Sequence, residues 1–179
     1  MIQEVCQPGF ERVAEAFVEN LQNNGELGAS VCVTVDGETV VDLWGGIADP
    51  TNGTAWEADT VSVVFSCTKG ATALCAHVLA SRGQLDLDAP VVELWPEFGQ
   101  NGKEHVTTRM MLDHSAGVPA LRPRVKDSGP FEWDYMTGLL AAEQPFWQPG
   151  TRNGYHGFTF GWTVGEMVRR ASGQGLGAF

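Results

Sequence analysis

The chain has 179 residues, 43% of them hydrophobic and 18% charged, which is the length of one domain or part of one and too apolar for a disordered chain. Its 22 Asp and Glu against 11 Lys and Arg give a net charge of -11. That balance argues against nucleic acid and anionic membrane surfaces as partners, since both require basic patches.

Residues 8–23 read as an amphipathic helix, with Phe10, Val13, Ala14, Phe17, Val18 and Leu21 at three- and four-residue spacing. Asn23-Asn24-Gly25 ends it. Residues 29–45 read as a hairpin: Val31, Val33 and Val35 alternate with polar positions, Asp36-Gly37 supplies the turn, and Thr39 to Trp44 returns. Gly45-Gly46 is expected to break the second strand, leaving a loop to Ala58. Val61 to Phe65 is a short apolar run. Ser66 to Arg82 then predicts a helix with a stripe of Ala71, Leu74, Cys75, Val78 and Leu79, stopped by Gly83. Small residues elsewhere on it predict burial between other elements.

After the turn-rich connector LDLDAPVVELWPEF, Thr107 or Thr108 caps a short helix through His114, closed by Gly117 and Pro119. Residues 131–143 predict another helix. Gln148-Pro149-Gly150 predicts a turn. A last helix runs over 158–172 with Trp162, Val164, Gly165 and Val168 on its buried side.

Cys6, Cys32, Cys67 and Cys75 match no zinc spacing, and His77, His105, His114 and His156 form no HExxH. No metal or cofactor is therefore expected. The first 25 residues lack the basic start and apolar run of a signal peptide, and no run approaches the ~20 residues of a membrane helix. A cytoplasmic protein with reduced thiols is the expectation.

The strongest chemical signal is Ser66-Cys67-Thr68-Lys69 at the start of a helix. The serine hydroxyl stands near amides carrying partial positive charge, and a lysine three residues on shares its face. Removing such a lysine from water favours its neutral amine, which can take the serine proton. With seven serines and three lysines, a chance Ser-x-x-Lys is expected about 0.1 times. The alternative is a capping serine beside a solvated lysine.

Asn153-Gly154-Tyr155-His156-Gly157 places one of only two tyrosines on a glycine-flanked loop. A phenol there can relay protons if a cation lowers its pKa; the alternative is a loop anchor on the core. In Met111 to Gly117, His114 and Ser115 are adjacent and so point in different directions on a helix; they read as closing a helix by local hydrogen bonds. His77 reads as structural, and His156 as lining the cleft.

The pieces VFSCTKG, GQLDLDAPVVELWPEF, MMLDHSAGVP and PGTRNGYHGFTFGWTVGEMVRRASG stand in the order found in the serine β-lactamase and penicillin-binding-protein superfamily. The chain resembles that superfamily over most of residues 27–179 and is most similar to its class C-like esterases. The resemblance implies an α/β (α+β) fold of the β-lactamase-like, transpeptidase type. It implies one partial domain over 1–179, with 1–65 belonging to the α/β subdomain and 66–179 to the helical subdomain.

It further implies Ser66 as acylated nucleophile, Lys69 as its base, Tyr155 as proton shuttle and the Ser66 amide as half of an oxyanion hole. His156, Gly157 and Trp147 are expected at the substrate, with Trp44, Phe158 and Trp162 as further candidates for an apolar acyl pocket. Gly157 stands where penicillin-processing members keep Asn, which favours a small ester or amide over a lactam. A non-catalytic binding or scaffold relative, and a β-lactamase, D-peptidase or acyltransferase, are the alternatives. The family's third motif and later strands are not found in 1–179. An isolated chain is accordingly expected to hydrolyse esters poorly and to self-associate through an unpaired sheet edge.

Overall fold

The computed structural model describes residues 2–179. They form two compact units, Met1–Val63 and Val64–Phe179, whereas the expected division lay between 65 and 66.

The first unit is a helix and an antiparallel sheet. Strand β1 (Ile2–Cys6) precedes helix α1 (Glu11–Asn23), followed by β2 (Gly28–Val35), β3 (Glu38–Asp49) and the two-residue β4 (Thr54–Ala55). The sheet order is β1-β3-β2, with β4 pairing the end of β3. Val41, Leu43 and Gly45 of β3 are buried in alternation, as the two-residue period of a one-sided sheet demands. The register shifts at Val33/Thr34, leaving Val40 as the extra residue of a bulge and also buried. Val40, Val41 and Leu43 meet Phe17 of α1 to form this unit's core.

One expectation is corrected here, and one element is added. The segment of β1 carried no prediction. The glycine pair does not end the second strand, which runs on to Asp49. Gly46 lies at φ 91, and a Cβ there would stand 2.2 Å from the Leu27 carbonyl oxygen. The glycine permits the close approach of the backbone at Leu27 and Gly28, so it extends the pairing instead of breaking it.

The second unit is helical. A 3-10 turn (Phe65–Cys67) leads into α2 (Thr68–Ser81), followed by α3 (Thr108–Leu112), α4 (Trp133–Ala142) and α5 (Thr159–Ser172), with short 3-10 turns between α2 and α3 and before α4. Thr107 is the cap of α3, its hydroxyl accepting from the Met110 amide. Gly173 closes α5 at φ 75. The core gathers Leu79, Trp95, Phe98, Met111, Leu140, Val164, Met167 and Val168; each such side chain, fully buried, stabilises by about 1.5–3 kcal/mol.

Helix α2 packs on α5 through Thr72, Ala76 and Leu79. The predicted stripe is therefore rotated: Leu74 is 62% exposed, and His77, expected to be structural, lies on the exposed side.

Buried charge in this unit is fully partnered. The Glu166 carboxylate on α5 accepts from Trp133 Nε1 at 2.6 Å, from Arg169 at 2.7 Å and from Arg170 Nε at 2.6 Å. Burial pushes its pKa up, but these bonds together outweigh burial and hold it below the ordinary carboxylate range. Lys103 Nζ donates to the carbonyls of Ala141, at 3.0 Å, and Glu143, closing the end of α4. Burial lowers its pKa to about 8, partly offset by the Glu143 carboxylate.

Charge divides unevenly along the chain. Half of the acidic residues but only Arg12 among the basic ones precede Val64. The helical unit, which carries the Ser-x-x-Lys, is thus nearly neutral.

Candidate active site

The backbone turns sharply just before Ser66. Phe65 sits at φ 44, a left-handed conformation that costs a bulky residue energy and is retained where surrounding structure demands it. Ser66 then falls in the 3-10 turn ahead of α2. Neither that turn nor α2 has a side-chain cap bond, so the Ser66 hydroxyl is not spent on capping.

Its partners are instead side chains. Lys69 Nζ lies 3.2 Å from Ser66 Oγ, one helical turn away, and Tyr155 Oη donates to the same Oγ at 2.7 Å. Lys69 is itself held by the Gly157 carbonyl at 2.7 Å, and its Nζ lies 4.9 Å from the Tyr155 ring centroid. Hydrogen bonding with Ser66, then with Lys69, together with the lysine charge, holds the Tyr155 phenol below its ordinary value of 10.0. The phenol is 60% exposed, so burial opposes this only weakly.

The three groups open on a cavity of about 400 Å³ lined by Phe65, Ser66, Thr68, Lys69, Thr72, Tyr155, Gly157, Phe158, Phe160 and Gly161. Its walls beyond the polar triangle are aromatic or small. Phe65 and Phe158 are 82% and 85% exposed, and an apolar group entering the cavity would cover both.

The loop bearing Tyr155 is laid onto residues 113–118. The Asn153 side chain donates to the Asp113 carbonyl at 2.7 Å, and the Gly154 amide to the His114 carbonyl at 3.1 Å. The Val118 amide donates to His156 Nε2 at 3.1 Å, and Gly150 N to the Ser115 carbonyl at 3.0 Å. MMLDHSAGVP is thus the strip that seats the tyrosine loop, a relation between distant segments that spacing within either one could not disclose.

Two expected substrate residues lie elsewhere. His156 is 1% exposed and absent from the cavity wall. Its Nδ1 lies 2.6 Å from the Gly154 carbonyl while Nε2 accepts from Val118; this pairing assigns the proton to Nδ1. Trp147 also lies off the wall. Its ring fills the space a Cβ on Gly154 would need, 2.4 Å away, and its Nε1 donates to the Ser115 carbonyl at 3.3 Å. Both residues buttress the loop from beneath. Gly157 does line the cavity; of the aromatic candidates in this unit Phe158 lines it and Trp162 does not, and Trp44 belongs to the first unit.

The sequence expectation for His114, that it closes a helix, is incomplete. The residue does follow the end of α3, at φ 67, but its ring also packs against Tyr155, Phe160 and His156 at centroid distances of 5.1, 5.2 and 5.5 Å. Burial, then the Lys69 charge, lowers its pKa, with Asp113 opposing. Burial, then the His114 charge, lowers that of His156, against the Gly154 carbonyl and Asp113.

Both rings are therefore harder to protonate folded than unfolded. Below about pH 6.5, the ordinary histidine value, the unfolded chain binds more protons. Stability present above pH 6.5 should fall on acidification towards pH 5. Thermal melts across pH 5–7.5 check this, at about 2–4 °C per kcal/mol lost. His156→Gln should flatten the profile, and an already flat wild-type profile would contradict the assignment.

Among the described residues no group of three or more His, Cys, Asp or Glu could hold a metal ion, and no helix is long and apolar enough to cross a membrane.

Comparison with known proteins places this architecture. The family model described as Beta-lactamase matches residues 10–179, and the chain belongs to that family. It is 38% identical over 171 residues to the esterase/beta-lactamase LipL of Mycobacterium tuberculosis, covering 96% of this chain and 39% of that protein. Among solved structures, a family VIII carboxylesterase superposes with a TM-score of 0.92 at 43% identity, covering 99% of this chain and 49% of that one. A penicillin-binding protein homolog from Caulobacter crescentus superposes with a TM-score of 0.94 at 38% identity, covering 99% and 48%. The fold is the expected α/β fold of β-lactamase-like esterases and penicillin-binding proteins. The chain spans about half the length of these solved relatives.

Proposed function

We propose that this chain carries the nucleophilic half of a serine hydrolase acting on small, uncharged carboxylic esters through an acyl-Ser66 intermediate. The observation that carries the reading is the triangle of Ser66 Oγ, Lys69 Nζ and Tyr155 Oη, with both partners within 3.2 Å of the serine oxygen.

In this reading neutral Lys69 takes the Ser66 proton as Oγ attacks the substrate carbonyl carbon. The Ser66 amide is one donor to the oxyanion that forms. Tyr155 passes its proton to the departing alkoxide and takes the one that Lys69 received from Ser66, and the ester C–O bond breaks to leave alcohol and acyl-Ser66. Water then attacks the acyl carbon as the same pair takes its proton, the bond from the acyl carbon to Ser66 Oγ breaks, and the pair returns a proton to Oγ, releasing the carboxylic acid and restoring the serine. The apolar wall of Phe65, Phe158 and Phe160 suits an acyl or alkyl group without charge. Gly157 presents a carbonyl to Lys69 and no side-chain amide to a lactam.

The esterase names borne by two of the relatives favour the same substrate class. Comparing p-nitrophenyl acetate and butyrate with a chromogenic cephalosporin tests it. The esters should be turned over with the higher kcat/KM; faster cephalosporin turnover would move the assignment to a β-lactamase.

A further inference from the structure

Tyr155 is exposed on its loop, yet its hydroxyl must stay on Ser66 if it is to move protons. Its own side-chain bonds run only to the groups it would serve. The restraint has to come from the backbone on either side and from whatever lies behind the ring.

Both requirements lead to one residue. The amide before the tyrosine, Gly154 N–H, donates to the His114 carbonyl at 3.1 Å. The amide after it, His156 N–H, donates to His114 Nδ1 at 3.2 Å. The His114 ring also lies 5.1 Å from the Tyr155 ring, tilted by 58°. The left-handed backbone at His114, φ 67, is what lets one residue offer both its carbonyl and its ring to the same loop.

We propose that His114 is the positioning residue for Tyr155, clamping the amides on both sides of it and backing its ring so that the phenol hydroxyl stays on Ser66. The inference rests on the reading in which Tyr155 moves protons for Ser66. Bent away by about 1 Å, a reacting group can lose on the order of 10² in rate.

The test is the rate of Ser66 labelling by a fluorophosphonate in the full chain, with the Tyr155 titration followed by ultraviolet absorbance. Tyr155→Phe identifies that titration, since the chain has only one other tyrosine, Tyr135. His114→Gly suits the left-handed backbone and removes ring and acceptor together. It should slow labelling ~10², leave KM for a p-nitrophenyl ester within about threefold, and raise the Tyr155 titration towards 10.0 as its contacts with Ser66 and Lys69 loosen. His114→Asn keeps an acceptor near Nδ1 and also tolerates positive φ; it should recover labelling to within about tenfold of wild type.

A merely structural histidine would lower the melting temperature without moving the Tyr155 titration. Wild-type labelling and titration in His114→Gly, with Tyr155→Phe slow, would overturn this inference alone. Wild-type labelling in Tyr155→Phe would overturn the underlying reading and this inference with it. If His114→Gly melts below the assay temperature, all variants are compared at a temperature below that melt, where slowing with a raised Tyr155 titration in His114→Gly supports the clamp and wild-type values in both overturn it.

Discussion

Lys69→Arg should reduce ester turnover and phosphonate labelling of Ser66 by about 10³-fold, within the range for losing a general base. The substitution keeps a positive charge and a long side chain, so it isolates the proton. A guanidinium stays protonated and cannot accept from Ser66. The contact with the Gly157 carbonyl, 2.7 Å from Nζ, can be partly retained by an arginine nitrogen, so the loop after Tyr155 need not come loose. Lys69→Ala should lose at least as much. If Lys69→Arg stays within tenfold of wild type, the lysine serves the site by charge alone and the base is another group.

Tyr155→Phe should lower kcat by ~10². The ring remains to pack against His114, and only the oxygen 2.7 Å from Ser66 Oγ is removed. KM for a small ester should change little, because the lost interaction is made in the transition state. The rate in wild type should fall as pH rises through an apparent pKa below 10.0, the direction in which Ser66 and Lys69 move this phenol, because the phenol must keep its proton to protonate the alkoxide. That limb should vanish in Tyr155→Phe. A variant within threefold of wild type would make Tyr155 a packing residue of the loop.

Several elements were legible in the sequence because their signals are local. Ser66 and Lys69 are one turn apart on any helix. The Asp36-Gly37 turn and the alternating valines specify a hairpin without reference to the rest of the chain. What escaped depends on distant partners. His156 stands beside Tyr155 in sequence but faces Val118, and nothing within its own segment says so.

The Gly45-Gly46 pair carries the same composition whether it ends a strand or admits another backbone. The nearness of Leu27 decides between the two. Leu74 belongs to a plausible apolar stripe, yet the face of α2 that meets α5 is set by Thr72, Ala76 and Leu79. His114 shows the limit most sharply, since its role as helix terminator was readable and its grip on both sides of Tyr155 was not.

The central claim is that Ser66 is the nucleophile. Intact-mass analysis of the full chain after a fluorophosphonate probe, in wild type beside Ser66→Ala, tests it most directly. The account predicts a single phosphonyl adduct on wild type, mapped by peptide mass to Ser66, and no adduct on Ser66→Ala. An adduct that persists in Ser66→Ala, or that maps to another serine in wild type, would contradict it.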